Sequence, residues 1–400
     1  MTEKAKKEPL FRIAKRNDVN WKTRLKAITL TIGTALIISV LFLWLVSMKN
    51  PFTAIQYIFQ GTFENKIKFW SFMKELTLLL GIGLALVPAY KMRFWNIGGQ
   101  GQVLIGALVT AACMIFLPES IPSYGVILIS FVLSCLGGSL WAFIPAFFKS
   151  KWNTNETLFT LMMNYIAIAL VTFFVDRWRG TKSALGTINS SNGRGWVDFK
   201  TGSASIDRFV STYLNSRVII PLLVVLFLTV LIYFYMKKTK HGYEVKVVGE
   251  SIATARYTGI NVPHVIRRTL LLSGAICGMI GFFYVTCFDH TVSATTGGNY
   301  GFTAVIICWL SNFNPFVMIG YSSLIVFLDK GARNLSNVSY SPALNEYSTQ
   351  FIIFVIIIAL MLTTFFIRYQ IVSGRTGFTA KRNERILTKG LTEHKEVSHD

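Results

Sequence analysis

The sequence predicts an all-α, polytopic membrane protein of about ten transmembrane helices, with two related halves and short broken helices. Three observations carry that prediction. Hydrophobic residues make up 52% of the 400 positions and charged residues only 15%, a balance that ordinary soluble domains lack. Long apolar runs alternate with short polar stretches, and most runs match a hydrocarbon core of roughly 30 Å. Two of the runs open on polar, glycine-rich breaks, at Asn96-Ile-Gly-Gly-Gln-Gly-Gln102 and at Gly297-Gly-Asn-Tyr-Gly301.

Taken in order, residues 1–26 form a basic N-terminal segment with Lys4, Lys6, Lys7, Arg12, Lys15, Arg16, Lys22, Arg24 and Lys26. The apolar run 27–47 that follows is long enough to span, and no small-residue cleavage site follows it. It is a first span rather than a removable signal, and its basic flank belongs in the cytoplasm. Further spans are expected at 76–90, 99–117, 124–148, 155–175, 218–236, 265–288, 301–311, 315–328 and 349–367, giving a transmembrane domain over 27–367. An even count returns the C-terminus to the cytoplasm. The tail 368–400, with Arg368, Arg375, Lys381, Arg382, Arg385 and Lys389, agrees. So does the loop 237–264, with Lys237, Lys238, Lys240, Lys246 and Arg256. The loop 176–217 must then lie outside, against the charge rule, because it holds seven basic residues.

The net charge of +21 does not point to nucleic acid, because the basic residues sit at the ends and between apolar runs. Cys113, Cys135, Cys277, Cys287 and Cys308 lie in or beside apolar segments, without metal-ligand or disulfide spacing. No Gly-Lys dipeptide occurs, so the phosphate-binding loop of an ATPase is absent. No nucleophile motif appears and no metal site is expected. An enzyme is therefore disfavoured, and any energy source is another chain or an ion gradient.

Three spans (76–90, 301–311 and 315–328) fall below the roughly 20 residues a straight crossing needs. Short spans interrupted by glycine, at matching places in two halves, are the usual pointer to a central transport path. Gly81, Gly83 and Ala85 precede the first break, and Gly274, Gly278 and Gly281 the second. Polar backbone at membrane depth is tolerated only where protein or a water-filled cavity surrounds it. The candidate path residues are the amides Asn96, Gln100, Gln102, Asn164 and Asn299, with Glu156 beside them. Neutral amides suit the hydroxyls and base edges of a polar, uncharged solute. Phe94, Trp95, Tyr165 and Tyr300 are aromatics able to stack on it. The same residues also serve to cross-link helices and to line the interface, and both uses stay open.

Within the loop 237–264, Gly249 to Gly259 reads as a short helix with a Ser251 N-cap and a Gly259 stop. Glu250 and Arg256 lie at the ends that suit their charges. A helix this short needs something to dock against. An ion-driven carrier would place ionisable groups inside spans. Here Glu75, Glu156, Asp289, His290 and Asp329 fall near expected span ends, which disfavours a proton relay.

Several segments resemble the permease subunits of ABC importers in the ribose, galactose and nucleoside branch. The segment Asn96-Ile-Gly-Gly-Gln-Gly-Gln-Val-Leu-Ile-Gly-Ala107 resembles a family signature. Gly242 to Ile260 resembles the coupling loop, and Leu272 to Gly281 the span after it. Thr160 to Ala167 and Gly301 to Ile306 are similar to further family segments, in the family's order over about residues 70–335. The version Asn155-Glu-x4-Leu-Met-Met-Asn-Tyr165 is most similar to permeases served by lipoproteins that bind purine nucleosides. Lys246 stands where an Arg is usual, and Ala253-Thr254-Ala255 interrupts an alanine pair.

The resemblance implies a bacterial plasma-membrane permease that forms the path for nucleosides, purine nucleosides above all. Ribose- or galactose-type sugars are the alternative, and an ion-coupled carrier a more distant one. It implies ABC ATPase subunits carrying ATP and Mg, no cofactor in this chain, a second permease subunit in a heterodimer, and an extracytoplasmic binding lipoprotein. Gly249, Glu250, Ser251, Ala253, Ala255, Arg256 and Gly259 would couple to the ATPase. The loop 176–217 would receive the binding protein.

Overall fold

The structure is a computed structural model that describes residues 50–180, 185–197, 215–298 and 300–337, with a few positions outside them. Two compact units partition the chain, residues 1–51 with 341–400, and residues 52–340. In the first, a strand β1 (Phe11–Lys15) pairs antiparallel with β2 (Tyr369–Ser373), Phe11 opposite Ser373 and Lys15 opposite Tyr369. The spans expected at 27–47 and 349–367 lie largely outside the described residues.

The second unit is helical: α1 (Pro51–Phe63), α2 (Lys66–Lys91), α3 (Gly99–Phe116), α4 (Ser123–Trp152), α5 (Glu156–Arg179), α6 (Ser216–Lys238), α7 (Lys240–Glu250), α8 (Ile252–Tyr257), α9 (Val262–Phe283), α10 (Tyr300–Leu310) and α11 (Pro315–Asn337). A π-helical turn, Tyr284–Phe288, extends α9. Side-chain caps start several of them. Asn65, Asn155 and Asn261 accept from backbone N–H groups of the first turns of α2, α5 and α9, and Thr239 and Ser251 do the same for α7 and α8. A left-handed Asn153, at φ 51°, ends α4.

Among the described residues seven helices are long and apolar enough to cross a membrane, namely α2 to α6, α9 with its π-turn, and α11. Two of the three short spans need correcting. The expected 76–90 extends back to Lys66, and the expected 315–328 runs on to Asn337. Lys66, Lys68, Lys74, Glu75, Asp329, Lys330 and Arg333 interrupt apolarity but not the helices: Glu75 of α2 pairs with Lys330 of α11, Arg333 with Asp329 one turn away, and Lys74 with Asp289. Glu75 and Asp329 therefore lie inside helices rather than at their ends. The third span stays short, at the 11 residues of α10. The helix α1, with no counterpart in the expected elements, is too short to span and packs on α11, where Gly61 lies against the Lys330 backbone.

Burial sorts the spans. In α2, α3 and α9 the apolar windows are 83, 78 and 78% buried, against 22, 28 and 33% in α4, α5 and α6. Three central helices are thus surrounded by helices that turn residues such as Leu128, Leu140, Phe173 and Phe227 outward. The packing is reciprocal. Helix α2 packs on α10 as α9 packs on α3, α4 packs on α9 as α11 packs on α2, and α2 meets α9 between them. This is the pattern two related halves produce when each places its second helix against the first helix of the other.

Small residues decide how close these approaches are. Gly278 of α9 lies against the Ser134 carbonyl of α4, Gly274 against the Gly138 carbonyl, and Gly281 against the Val103 carbonyl of α3. Gly106 of α3 completes the seam, since a methyl built there would sit 2.6 Å from the Gly278 Cα. Without a hydrophobic drive between helices in lipid, such backbone contact is a main source of association. The equivalent face of α2 differs, because Gly81 and Gly83 receive the side chains of Ile280 and Met318.

Candidate functional site

The two glycine-rich breaks meet. Helix α3 begins at Gly99 and α10 at Tyr300, and a methyl on Gly301 would lie 2.6 Å from the Gln100 amide nitrogen. Only a residue without a side chain allows that approach. Gln100 spans the junction. Its Nε2 donates to the Thr296 carbonyl at 2.8 Å, and its Oε1 accepts from Gly301 N–H at 3.2 Å.

The other amides lie close by. Asn96, Gln100, Gln102 and Asn164 are all at most 2% exposed. Asn96 Oδ1 accepts from Gly98 N–H at 3.1 Å and from Gln102 Nε2 at 3.3 Å, while its Nδ2 donates to Ser273 Oγ of α9 at 3.2 Å. Asn164 of α5 reaches across with both ends of its amide, accepting from Gly101 N–H at 2.8 Å and donating to the Ile97 carbonyl at 2.9 Å. Thr160, one turn earlier, accepts from Ile97 N–H at 3.2 Å. The first N–H groups of a helix have no partner within it. In α3 that of Gly101 is satisfied by a neighbouring helix. The atom left over is Gln102 Oε1, which is buried without a hydrogen-bond partner.

The candidate residues thus fall into two groups. Asn96, Gln100, Gln102 and Asn164 converge on the start of α3. Tyr165 is 61% exposed, away from its buried neighbour Asn164. Asn299 lies outside the described residues. Glu156 pairs with Lys149 at 2.8 Å. Phe94 is buried, Trp95 stacks on Trp309 with centroids 5.2 Å apart, and Tyr90 stacks on Phe313. Ser273, Thr160 and Thr296 were not anticipated. Isolated hydroxyls in apolar runs carry no pattern that separates them from ordinary helix cross-links.

The short helix expected at 249–259 is observed as α8. Ser251 Oγ accepts from Thr254 N–H at 3.2 Å. At the other end Ile260 N–H donates to the Ala255 carbonyl and Gly259 N–H to the Arg256 carbonyl, with Gly259 at φ 78°. These bonds close the helix in the manner of a Schellman stop. The preceding α7 was not anticipated, so Glu250 ends one helix and Ser251 begins the next. Gly249 and Ala255 are buried, whereas Glu250, Ala253, Arg256 and Gly259 are exposed and Ser251 half-buried. Gly249 lies against the Lys91 carbonyl at the end of α2, and Glu244 of α7 pairs with Arg268 of α9 at 3.0 Å. The pair α7–α8 is therefore seated on the ends of both first helices. Ile252, at 50% exposure, and Tyr257, at 94%, face outward.

Residues 185–197 fold back over the opposite helix ends. Arg194 donates to the carbonyls of Leu117, Pro118 and Ile121, Asn189 Nδ2 to that of Met114, and Trp196 stacks on His290 at 4.0 Å. Among the described residues no three His, Cys, Asp or Glu side chains gather as a metal site requires.

One consequence concerns stability. Asn164→Leu removes both partners of the Gly101 and Ile97 backbone groups while keeping the volume. It should lower unfolding stability by about 1–3 kcal/mol, the cost of buried groups left unpaired. The same substitution at exposed Tyr165 should change it by less than about 0.5 kcal/mol. Thermal unfolding of the purified protein in one detergent checks both.

Set beside known proteins, this architecture has a clear class. Residues 66–361 match the family model described as branched-chain amino acid transport system / permease component. The chain belongs to that family, and it is a permease subunit of an ABC transporter of its branched-chain, nucleoside and sugar group. It is 27% identical over 332 residues to a glucose ABC transporter permease protein of Haloferax volcanii, covering 80% of this chain and 83% of the relative. It is 25% identical over 272 residues to the guanosine ABC transporter permease protein of Bacillus subtilis, covering 68% and 75%. It is 23% identical over 317 residues to a nucleoside ABC transporter permease protein of Lactococcus lactis, covering 77% and 84%. No solved structure matches the chain significantly.

Proposed function

We propose that this permease carries nucleosides, purine nucleosides in particular, through a path that passes the junction of α3 and α10. The observation that carries the reading is the likeness to the guanosine and nucleoside permeases over two thirds or more of the chain. The uncharged amides at the break agree with it, because a nucleoside offers neutral donors and acceptors. Most of these amide groups brace the break, and Gln102 Oε1 is the acceptor available to a solute hydroxyl or a water. Glucose-type sugars are the second reading, favoured by the likeness to the Haloferax permease.

In this reading the ATPase subunits, with ATP and Mg, engage the exposed face of α7 and α8. Glu250, Ala253, Arg256 and Gly259 lie on the surface of that pair, while Gly249 and Ala255 hold it to the bundle. A second, distinct permease subunit completes the path, and an extracytoplasmic lipoprotein delivers solute over residues 185–197. Both chain ends lie in the cytoplasm. The β1–β2 pair supports their sharing a side, because hydrogen-bonded strands cannot straddle a bilayer.

The test is uptake of labelled guanosine by proteoliposomes holding this chain with its ATPase, permease and binding-protein partners. Unlabelled adenosine and inosine should compete, glucose and ribose should not, and uptake should stop without ATP while surviving collapse of ion gradients. Competition by glucose alone would replace the nucleoside reading with the sugar one.

A further inference from the structure

Helices α2 and α11 carry charges at depths where apolar residues are the rule. Glu75 pairs with Lys330 at 2.6 Å, and their side chains are only 13 and 17% exposed. Lys330 Nζ also donates to Ser71 Oγ at 2.8 Å. Lys74 pairs with Asp289, and Arg333 with Asp329 at 2.8 Å. Taking paired charges out of water is costly enough that a hydrophobic pair would join two helices at least as well. Inside a span, retained charges mark function rather than adhesion.

What sets Glu75 apart is its second partner. The Tyr300 hydroxyl donates to Glu75 Oε2 at 2.6 Å, and Tyr300 is the first residue of α10. The next residue, Gly301, donates to Gln100. The connection into α10 starts at Asp289, directly after the π-turn, and Asp289 is held by Lys74. Two adjacent residues of α2 therefore grip the two ends of the connection from α9 to α10, Lys74 at its start and Glu75 at its finish. The short helix has little of its own to fix its depth, being 11 residues long and preceded by Gly297 and Gly298 in left-handed conformations.

We infer that Glu75 is a positioning residue for transport: through Tyr300 it sets the depth of α10, and so the fit of the two breaks at Gln100. Lys330, 2.6 Å away, is the partner that aims the Glu75 carboxylate. The inference rests on the transport reading above but not on which solute is carried.

The test compares Tyr300→Phe, Glu75→Gln and the exchange Glu75→Lys with Lys330→Glu, each in the complete transporter in proteoliposomes with labelled guanosine. Tyr300→Phe removes one hydroxyl and leaves the ion pair. It should lower the maximal uptake rate roughly tenfold, the worth of one hydrogen bond to a charged group, with KM and the amount of inserted protein unchanged. Glu75→Gln should be slowed at least as much. The exchange restores the ion pair but moves the carboxylate off α2, so it should insert normally and stay slow. Full speed in Tyr300→Phe overturns the inference, whatever the other variants do. A fall in uptake that only tracks lost protein, a raised KM at unchanged maximal rate, or full rescue by the exchange overturns it as well. If the wild type carries glucose and not guanosine, the nucleoside reading fails, and the same comparison is made with labelled glucose.

Discussion

Gly278→Leu should leave almost no folded protein, the largest effect of any single substitution described for this chain. Even Gly278→Ala builds a Cβ into the Ser134 carbonyl of α4, with the Cys135 Cα at 3.2 Å. Neither obstacle is a flexible side chain that could rotate away. Overpacking of this kind costs about 1–3 kcal/mol where neighbours can adjust, and more where they cannot. Here α9 is pinned on two sides, by Gly274 against Gly138 and by Gly281 against Val103, so relief at one contact tightens another. The alanine variant should melt several degrees lower, and the leucine variant should fail to give a monodisperse peak in size-exclusion chromatography. Gly320→Ala is the control, because a methyl there meets nothing within 4 Å and alanine suits a helix better than glycine. Its melting temperature should be unchanged or slightly raised.

Gly249→Leu should come second, and it should separate transport from folding. Its Cβ would strike the Lys91 carbonyl, with the Met92 Cα at 3.2 Å, lifting α7 from the end of α2. The central bundle does not depend on that contact. Inserted protein should therefore stay within about twofold of wild type, while ATP-driven uptake falls at least tenfold, a change of about 1.4 kcal/mol or more in coupling. Gly259→Leu probes the same region differently. Nothing lies within 4 Å of the added Cβ, but φ is 78°, so the cost is local backbone strain of about 1–2 kcal/mol. Its uptake should fall less than that of Gly249→Leu. Equal uptake by Gly249→Leu and wild type would remove α7–α8 from the coupling route.

Much of this was legible in the sequence for reasons that can be named. Span positions follow from hydrocarbon thickness, and the α8 caps from backbone groups that must find partners. Ser251 and Gly259 therefore stood out without any tertiary information. The two breaks were legible because glycine and amide residues are costly in lipid unless something surrounds them. Their contact through Gln100 was not, since it depends on how two distant segments approach. The extents of α2 and α11 were misread for a related reason. Glu75 and Lys330 each look like the end of an apolar run when read alone, and only across 255 residues do they become a pair that a helix can carry. The helix α7 was missed because Gly242 and Gly249 argue against helix by propensity, while in the structure both serve close packing against Tyr235 and Lys91.

The two halves repeat one another in outline, yet the glycine faces of α2 and α9 differ in mechanical character. Along α9 the neighbours are carbonyls and Cα atoms of α3 and α4, surfaces with no rotamers to exchange. Along α2 they are the ends of Ile280 and Met318, flexible groups that can re-pack within a displacement. A load applied at Gly249 and Lys91 would thus enter the compliant half first. The seam of α9 with α3 and α4 would then keep its shape while the glycine face of α2 adjusts.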